Sequence, residues 1–283
     1  AIADQGDLER VEAGAVLQNP VLRRHRYHIG VLRSPTSRGG SVALHAQVQE
    51  GDVLTISPPR NLFALRKHSN QADLAYTKWD DDEVVLVAMP CAHIGGTGLV
   101  NIAIASGVRS LVQAEFTPVG VLEAIEAGAT HMFIVPAALQ MVVQHPRAAT
   151  TDFSNLKYLM YGAAPMPLEL LKEAVRTMPT TRFLQAYGMT ETSGTISILP
   201  PEDHALEGNQ RMRSAGKACP GVSIEVRGPD NVEVPRGEIG EVCILSPSNT
   251  PGYWKLPEAT TNTIDPDGWL HTGDAGVMDA DGY

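Results

Sequence analysis

With 283 residues, 43% of them hydrophobic, the chain is long enough to bury a sizeable core, as one large domain or two small ones. Its 22 Lys and Arg against 32 Asp and Glu leave a formal net charge of −10. That balance argues against nucleic acid as a partner, and an anionic ligand needs local help from backbone N–H groups or a metal.

Cys91, Cys219 and Cys243 are widely spaced and make neither a zinc pattern nor a disulfide framework. A reducing, cytoplasmic setting is the expectation. No apolar run approaches the roughly 18 residues of a membrane span, and the polar opening does not read as a signal peptide.

In chain order, RYHIGVLRS at 26–34 predicts a strand and PTSRGGS at 35–41 a loop of turn formers. VALHAQV at 42–48 predicts a short helix ending before Gly51, and DVLTIS at 52–57 another strand. The texture then changes. EVVLVAMP (83–90), HMFIVP (131–136), LKYLMYG (156–162) and RFLQAYG (182–188) are nearly continuous apolar runs. Such runs suit strands covered on both faces, as in a parallel sheet. Between them, TPVGVLEAIEAG predicts a helix with Thr117 as N-cap, Pro118 at its first position and Gly128 as its stop. PLELLKEAVRTMP sets Leu168, Leu171, Val175 and Met178 near one helix face. Beyond about 220, GVSIEVR and GEIGEVCIL predict β segments, and GWLHTGD ends in a glycine–aspartate turn. The expected fold is α/β, with layered, mostly parallel sheets flanked by helices. A smaller β region follows at the C-terminal end, and a short-ranged, β-rich segment opens the N-terminus. The ending within DADGY, itself a turn signature, predicts further polypeptide after Tyr283.

Ligands of such sheets bind outside the carboxyl ends of the strands. Those ends carry PCAHIGG, VPAA, YGAAPMP and YGMTETSG. In the last, Tyr187 offers an aromatic face and Gly188 allows close approach. Thr190, Thr192 and Ser193 carry hydroxyls for phosphate oxygens, and Glu191 can hold a hard divalent cation. The set suits a nucleotide with Mg²⁺. It also suits a capped helix start, with Thr190 or Thr192 as N-cap and Glu191 in the first turn. Gly162, Ala163 and Ala164 either let a flat ring lie on bare backbone or make an ordinary turn before a helix opened by Pro167. Asp274 either accepts the two hydroxyls of a ribose or bonds its own backbone. His93 either lines a cleft or is a satisfied core histidine, and Cys91 reads as buried. SRGGS at 37–41, with Arg38, is either a phosphate cradle or a plain loop. No GxxxxGK[ST], GxGxxG or GxSxG motif is present, which removes three common classes.

Taken in order, MPCAHIGG, YGAAPMP, QAYGMTETSG, SAGKACPGVSIEV, GEIGEVCIL, PGYWKLPEATTNTIDPDGWLHTGD and DADGY resemble the adenylate-forming (AMP-binding, acyl-CoA synthetase) family over about residues 61–283. The resemblance implies an ATP-dependent carboxylic acid CoA ligase core, for a fatty or aryl acid, with Mg²⁺ as cofactor and coenzyme A as co-substrate. An acyl-adenylate forms with release of pyrophosphate, and the thiol of coenzyme A then attacks it. The partners implied are a small carboxylic acid, ATP and CoA, with no nucleic acid and no membrane span. Gly162, Ala163 and Ala164 would line the adenine and Tyr187 would stack on it. Thr190 would contact the α-phosphate, Glu191 would hold Mg²⁺ and Asp274 would bind the ribose. His93 would sit where the carboxylate meets the adenylate, and Gly188 would edge the acyl pocket. No covalent protein nucleophile is required. The family's Thr/Ser/Gly-rich phosphate loop is not found before RNLFAL, nor the small domain with its adenylation lysine. Impaired adenylation by this polypeptide is therefore the expectation.

YHIGVLRSPTSRGGSVALHAQVQEGDVLTISPPRNLF, 27–63, resembles instead part of the flavin-binding barrel of phthalate-dioxygenase-type reductases. That implies Gly39, Gly40 and Ser41 near an FMN phosphate, with Leu32 and Arg33 along the flavin-side strand. The expected division is then a chimera. Residues 1–63 form a partial flavin-reductase-like segment, 64–218 an adenylation core and 219–283 its β-rich subdomain. The alternatives implied are an FMN-binding oxidoreductase fragment and a non-catalytic nucleotide-binding remnant.

Overall fold

The computed structural model describes residues 80, 82–205 and 209–283. They fall in Phe63–Tyr283, one of two compact units into which the chain divides. The predicted elements between 26 and 57, and the flavin-like segment 27–63, lie outside the described residues.

The four apolar runs are strands β1 (Val84–Val87), β3 (His131–Ile134), β4 (Tyr158–Gly162) and β5 (Arg182–Met189). Every residue of β1, β3 and β4 is buried, the condition that makes a strand apolar on both faces. The sheet also contains β2 (Arg109–Val112), β6 (Gly194–Leu199) and β7 (Lys217–Ala218), none of which the apolar pattern predicts. Its order is β2-β1-β3-β4-β5-β6-β7. The first five strands pair in parallel, whereas β6 and β7 run antiparallel. As an edge strand β2 is only half covered, with Val112 64% exposed, so RSLV carries no core signature.

Helices α1 (Ile94–Ser106), α2 (Pro118–Glu126), α3 (Pro136–Val143) and α4 (Leu168–Thr177) flank this sheet. In α1 three glycines lower the helical propensity of IGGTGLVNIAIAS, so packing on β1 and β3 decides its conformation. Thr117 caps α2: its Oγ1 accepts the Gly120 N–H at 3.0 Å, Pro118 opens the helix, and Gly128 follows the last turn. Thr117→Ala should therefore cost about 1 kcal/mol in a urea unfolding curve. The buried face of α4 is rotated from the expected one. Leu170, Leu171, Ala174 and Val175 are inside, Met178 is buried just beyond the helix, and Leu168 is only partly covered.

One apolar cluster joins the layers, including Leu86, Leu122, Ile125, Leu139, Leu159, Leu171 and Leu184. At the opposite end from the candidate site, the 1%-exposed carboxylate of Glu83 meets Lys157 Nζ at 2.6 Å and His131 Nδ1 at 3.4 Å.

Past residue 220 the chain forms an antiparallel sheet of order β10-β9-β8, from β8 (Ser223–Arg227), β9 (Ile239–Leu245) and β10 (Leu270–Val277). A short helix, α5 (Pro257–Thr263), precedes β10. The expected terminal turn in GWLHTGD is thus strand, with its pairing to β9 interrupted between His271 and Ala275. The described fold is α/β, a parallel-dominated sheet flanked by helices plus a small antiparallel sheet. Among the described residues no helix is long and apolar enough to cross a membrane.

Candidate functional site

The stretch YGMTETSG turns one strand into its neighbour. Tyr187–Met189 finish β5, Thr190–Thr192 make a single 3-10 turn, Ser193 adopts a left-handed conformation (φ 59) and Gly194 opens β6. The capped-helix reading is corrected accordingly. Met189, not a threonine, precedes the turn, and the chain returns antiparallel instead of entering a helix. Thr192 is fully buried. Its Oγ1 accepts the Met189 N–H at 3.1 Å and lies 2.9 and 2.8 Å from the carbonyl oxygens of Met189 and Gly194, one of which takes its proton. It is consumed in shaping the turn and is withdrawn from any ligand. Ser193 Oγ donates to the Ser248 carbonyl at 2.9 Å. Thr190 is exposed.

Glu191 is half-buried and held twice by the segment between β9 and α5. Its carbonyl accepts the Thr250 N–H at 2.6 Å, and its Oε1 accepts the Tyr253 hydroxyl at 2.7 Å. The hydrogen bond to this carboxylate raises the Tyr253 phenol above its ordinary pKa. Sequence reasoning missed Tyr253. It lies 62 positions from Glu191, and nothing in the local pattern of PGYW joins the two.

Tyr187 and Asp274, 87 positions apart, are brought together: the phenol donates to Asp274 Oδ2 at 2.6 Å. Burial first, and then this hydrogen bond, raise the Tyr187 phenol well above its ordinary range. Asp274 sits in the interrupted part of β10, where its N–H donates to Thr272 Oγ1 at 3.0 Å and its carboxylate faces Tyr187. The own-backbone reading of that carboxylate gives way to this cross-sheet contact.

Gly162 ends β4 beside Ala186 of β5, and Ala163 follows with φ 63, exposed together with Ala164. His93 immediately precedes α1 and is exposed, so the core-histidine reading does not hold. Cys91 is exposed as well, against the expectation of burial. The strand ends at Val87, and the chain leaves the core through Pro90 before α1 begins.

Next to His93, α1 forms one wall of a groove. The groove is lined by Ile94, Gly95, Gly98, Leu99 and Ile102 of α1, by Phe133, Met160, Ala163, Ala186 and Gly188, and by Ser193, Gly194 and Thr195. No lining residue carries a charge. An apolar, uncharged groove therefore opens beside the turn that holds Thr190 and Glu191, and Ser193 and Gly194 at the end of that turn line it.

A family model described as AMP-binding enzyme matches residues 57–254. The chain is 35% identical over 225 residues to a fatty acid–[acyl-carrier-protein] ligase, ScoC, of Streptomyces coeruleorubidus, covering 79% of this chain and 43% of that protein. It is 35% identical over 212 residues to a feruloyl-CoA synthase of an Amycolatopsis species, covering 74% of this chain and 42% of the relative. Among solved structures it resembles the amide bond synthetase McbA from Marinactinospora thermotolerans, with a TM-score of 0.68 and 33% identity over 75% of this chain and 42% of that one. The chain thus spans less than half the length of these relatives. The match takes in the whole main sheet, the 189–194 turn and the Tyr253 tether, and on that ground the chain belongs to the AMP-binding enzyme family.

Proposed function

We propose that this chain carries the core of an ATP-dependent ligase that activates a fatty or aryl carboxylic acid as its acyl-adenylate, for transfer to coenzyme A. The observation that carries the reading is the Tyr187–Asp274 contact at the strand ends, close to an uncharged apolar groove. In this reading adenine lies on the bare backbone of Gly162–Ala164 against Tyr187, and the ribose hydroxyls bond to Asp274. Thr190 meets the α-phosphate. Glu191, half-buried and with only one carboxylate oxygen engaged by Tyr253, fits a hard cation and would hold Mg²⁺. Bound there, Mg²⁺ supplies compensation for phosphate charge. The groove would take the apolar body of the acid past Gly188 and leave its carboxylate toward His93. Placing that carboxylate in line with the α-phosphate supplies the entropic part of catalysis. The oriented donors supply the electrostatic part. A cytoplasmic setting goes with these substrates. The flavin-like segment 27–63 lies outside the described residues, and the family match begins inside it, at residue 57.

Calorimetric titration with Mg–ATP, followed by pyrophosphate exchange with a panel of fatty and aryl acids, tests the proposal. Saturable ATP binding that strengthens with Mg²⁺ supports it. No ATP binding, or binding indifferent to Asp274→Ala, overturns it. A related expectation concerns Tyr253→Phe. The metal-free ATP affinity should be unchanged, while the Mg²⁺-dependent gain should shrink by roughly fivefold, the worth of one hydrogen bond orienting Glu191. Titrations with and without Mg²⁺ check it.

A further inference from the structure

We infer that the small antiparallel sheet carries a separate cation site, for a divalent ion of the zinc type, formed by Glu241, Cys243 and His271. Glu241 and Cys243 are alternate residues of β9 and so project from the same face. His271 is the direct cross-strand partner of Cys243 on β10. One donor atom from each side chain lies within 4.8 Å of the other two. His271 Nδ1 is 3.5 Å from Cys243 Sγ and 2.8 Å from Glu241 Oε2.

These separations are informative. With bonds of about 2.3 Å to sulfur and 2.0–2.1 Å to nitrogen, tetrahedral coordination sets the two donors about 3.5 Å apart. The thiol and the imidazole already stand at that distance, so only the carboxylate must draw back slightly from the ring. A thiolate, an imidazole and a carboxylate make a donor set suited to zinc, with the fourth position left to water.

The surroundings hold the ligands in place. The Gly273 N–H donates to Glu241 Oε1 at 2.9 Å, which leaves Oε2 facing His271. Such outer bonds orient ligands before an ion arrives. Cys243 is fully buried, while the Glu241 and His271 side chains are 37% and 23% exposed, so an ion can enter from their side. Binding takes the His271 proton to Nε2 and releases the Cys243 thiol proton to solvent.

The site also bears on β10. Pairing with β9 breaks immediately after His271, and Asp274 lies in the break, bonded to Tyr187. An ion tying His271 to β9 would brace the segment that carries Asp274. The inference does not depend on the nucleotide reading.

The test is titration of the metal-free full chain with Co²⁺, followed by its thiolate-to-cobalt absorption, and then competition with Zn²⁺. Expected are one saturable equivalent, displacement by Zn²⁺ and an unchanged spectrum in Cys91→Ser. Cys243→Ser should lose the thiolate band. Because that variant alters a buried position, Glu241→Gln on the half-exposed rim is the companion. It should remain folded and bind Co²⁺ at least tenfold more weakly. No saturable thiolate band in the parent chain overturns the inference. So does a band that survives Cys243→Ser or disappears in Cys91→Ser.

Discussion

Gly188→Ala is expected to lower the melting temperature by roughly 6–12 °C, the equivalent of about 3 kcal/mol in a unit of this size. A Cβ at this position would stand 1.9 Å from the Gly194 carbonyl oxygen, 2.7 Å from its carbon and 3.0 Å from Thr195 Cα. All three are backbone atoms of the facing strand, so no side chain can swing aside. The β5–β6 pair must open instead, just where its register already shifts between Tyr187 and Gly188. Opening it displaces the turn holding Thr190 and Glu191, so Mg–ATP affinity should fall together with stability. Gly98→Ala is the control. Its Cβ meets nothing within 4 Å, and in a helix interior alanine should be neutral or stabilising by roughly 0.5–1 kcal/mol. Scanning calorimetry of the two variants decides. Equal melting temperatures would mean that the hairpin yields without cost.

Asp274→Ala is expected to weaken ATP binding by roughly 30-fold, about 2 kcal/mol, the range of a hydrogen bond to a charged group. The substitution removes the carboxylate proposed to take the ribose hydroxyls and also the acceptor of the Tyr187 phenol. Two further variants separate these effects. Asp274→Asn keeps an acceptor for Tyr187 and should retain the parent stability while still losing ATP affinity. Tyr187→Phe keeps the ring face and should lose roughly fivefold or less. Calorimetric titration of all three checks the ranking. If Tyr187→Phe were as damaging as Asp274→Ala, the pair would serve the fold and not the nucleotide.

Most of the main sheet was legible because β1, β3 and β4 are covered on both faces and must be apolar at every position. The α2 cap was legible because Thr117 and Pro118 act on backbone groups one turn away. The residue types of the candidate site were legible for the same local reason. Tyr187 lies near the end of β5, Thr190 and Glu191 lie in the turn after it, and Gly162 ends the strand beside it, with Ala163 and Ala164 following. A strand that lies half in solvent, as β2 does, leaves no such trace, and neither does a helix carrying three glycines, as α1 does.

What tertiary structure alone decided was which of those residues are held, and by what. Thr192 and Thr190 are chemically alike and two positions apart, yet one is buried in the turn and the other is exposed. Cys91 follows an apolar strand and is still exposed, because the chain turns out of the core before α1. Tyr253 reaches Glu191, Asp274 reaches Tyr187 and His271 meets Cys243 across 62, 87 and 28 positions. Hydrophobic burial and backbone capping act over a turn or a strand and are written in neighbouring residues. A hydrogen bond between distant side chains depends on how two sheets meet, and no periodicity in the chain encodes that.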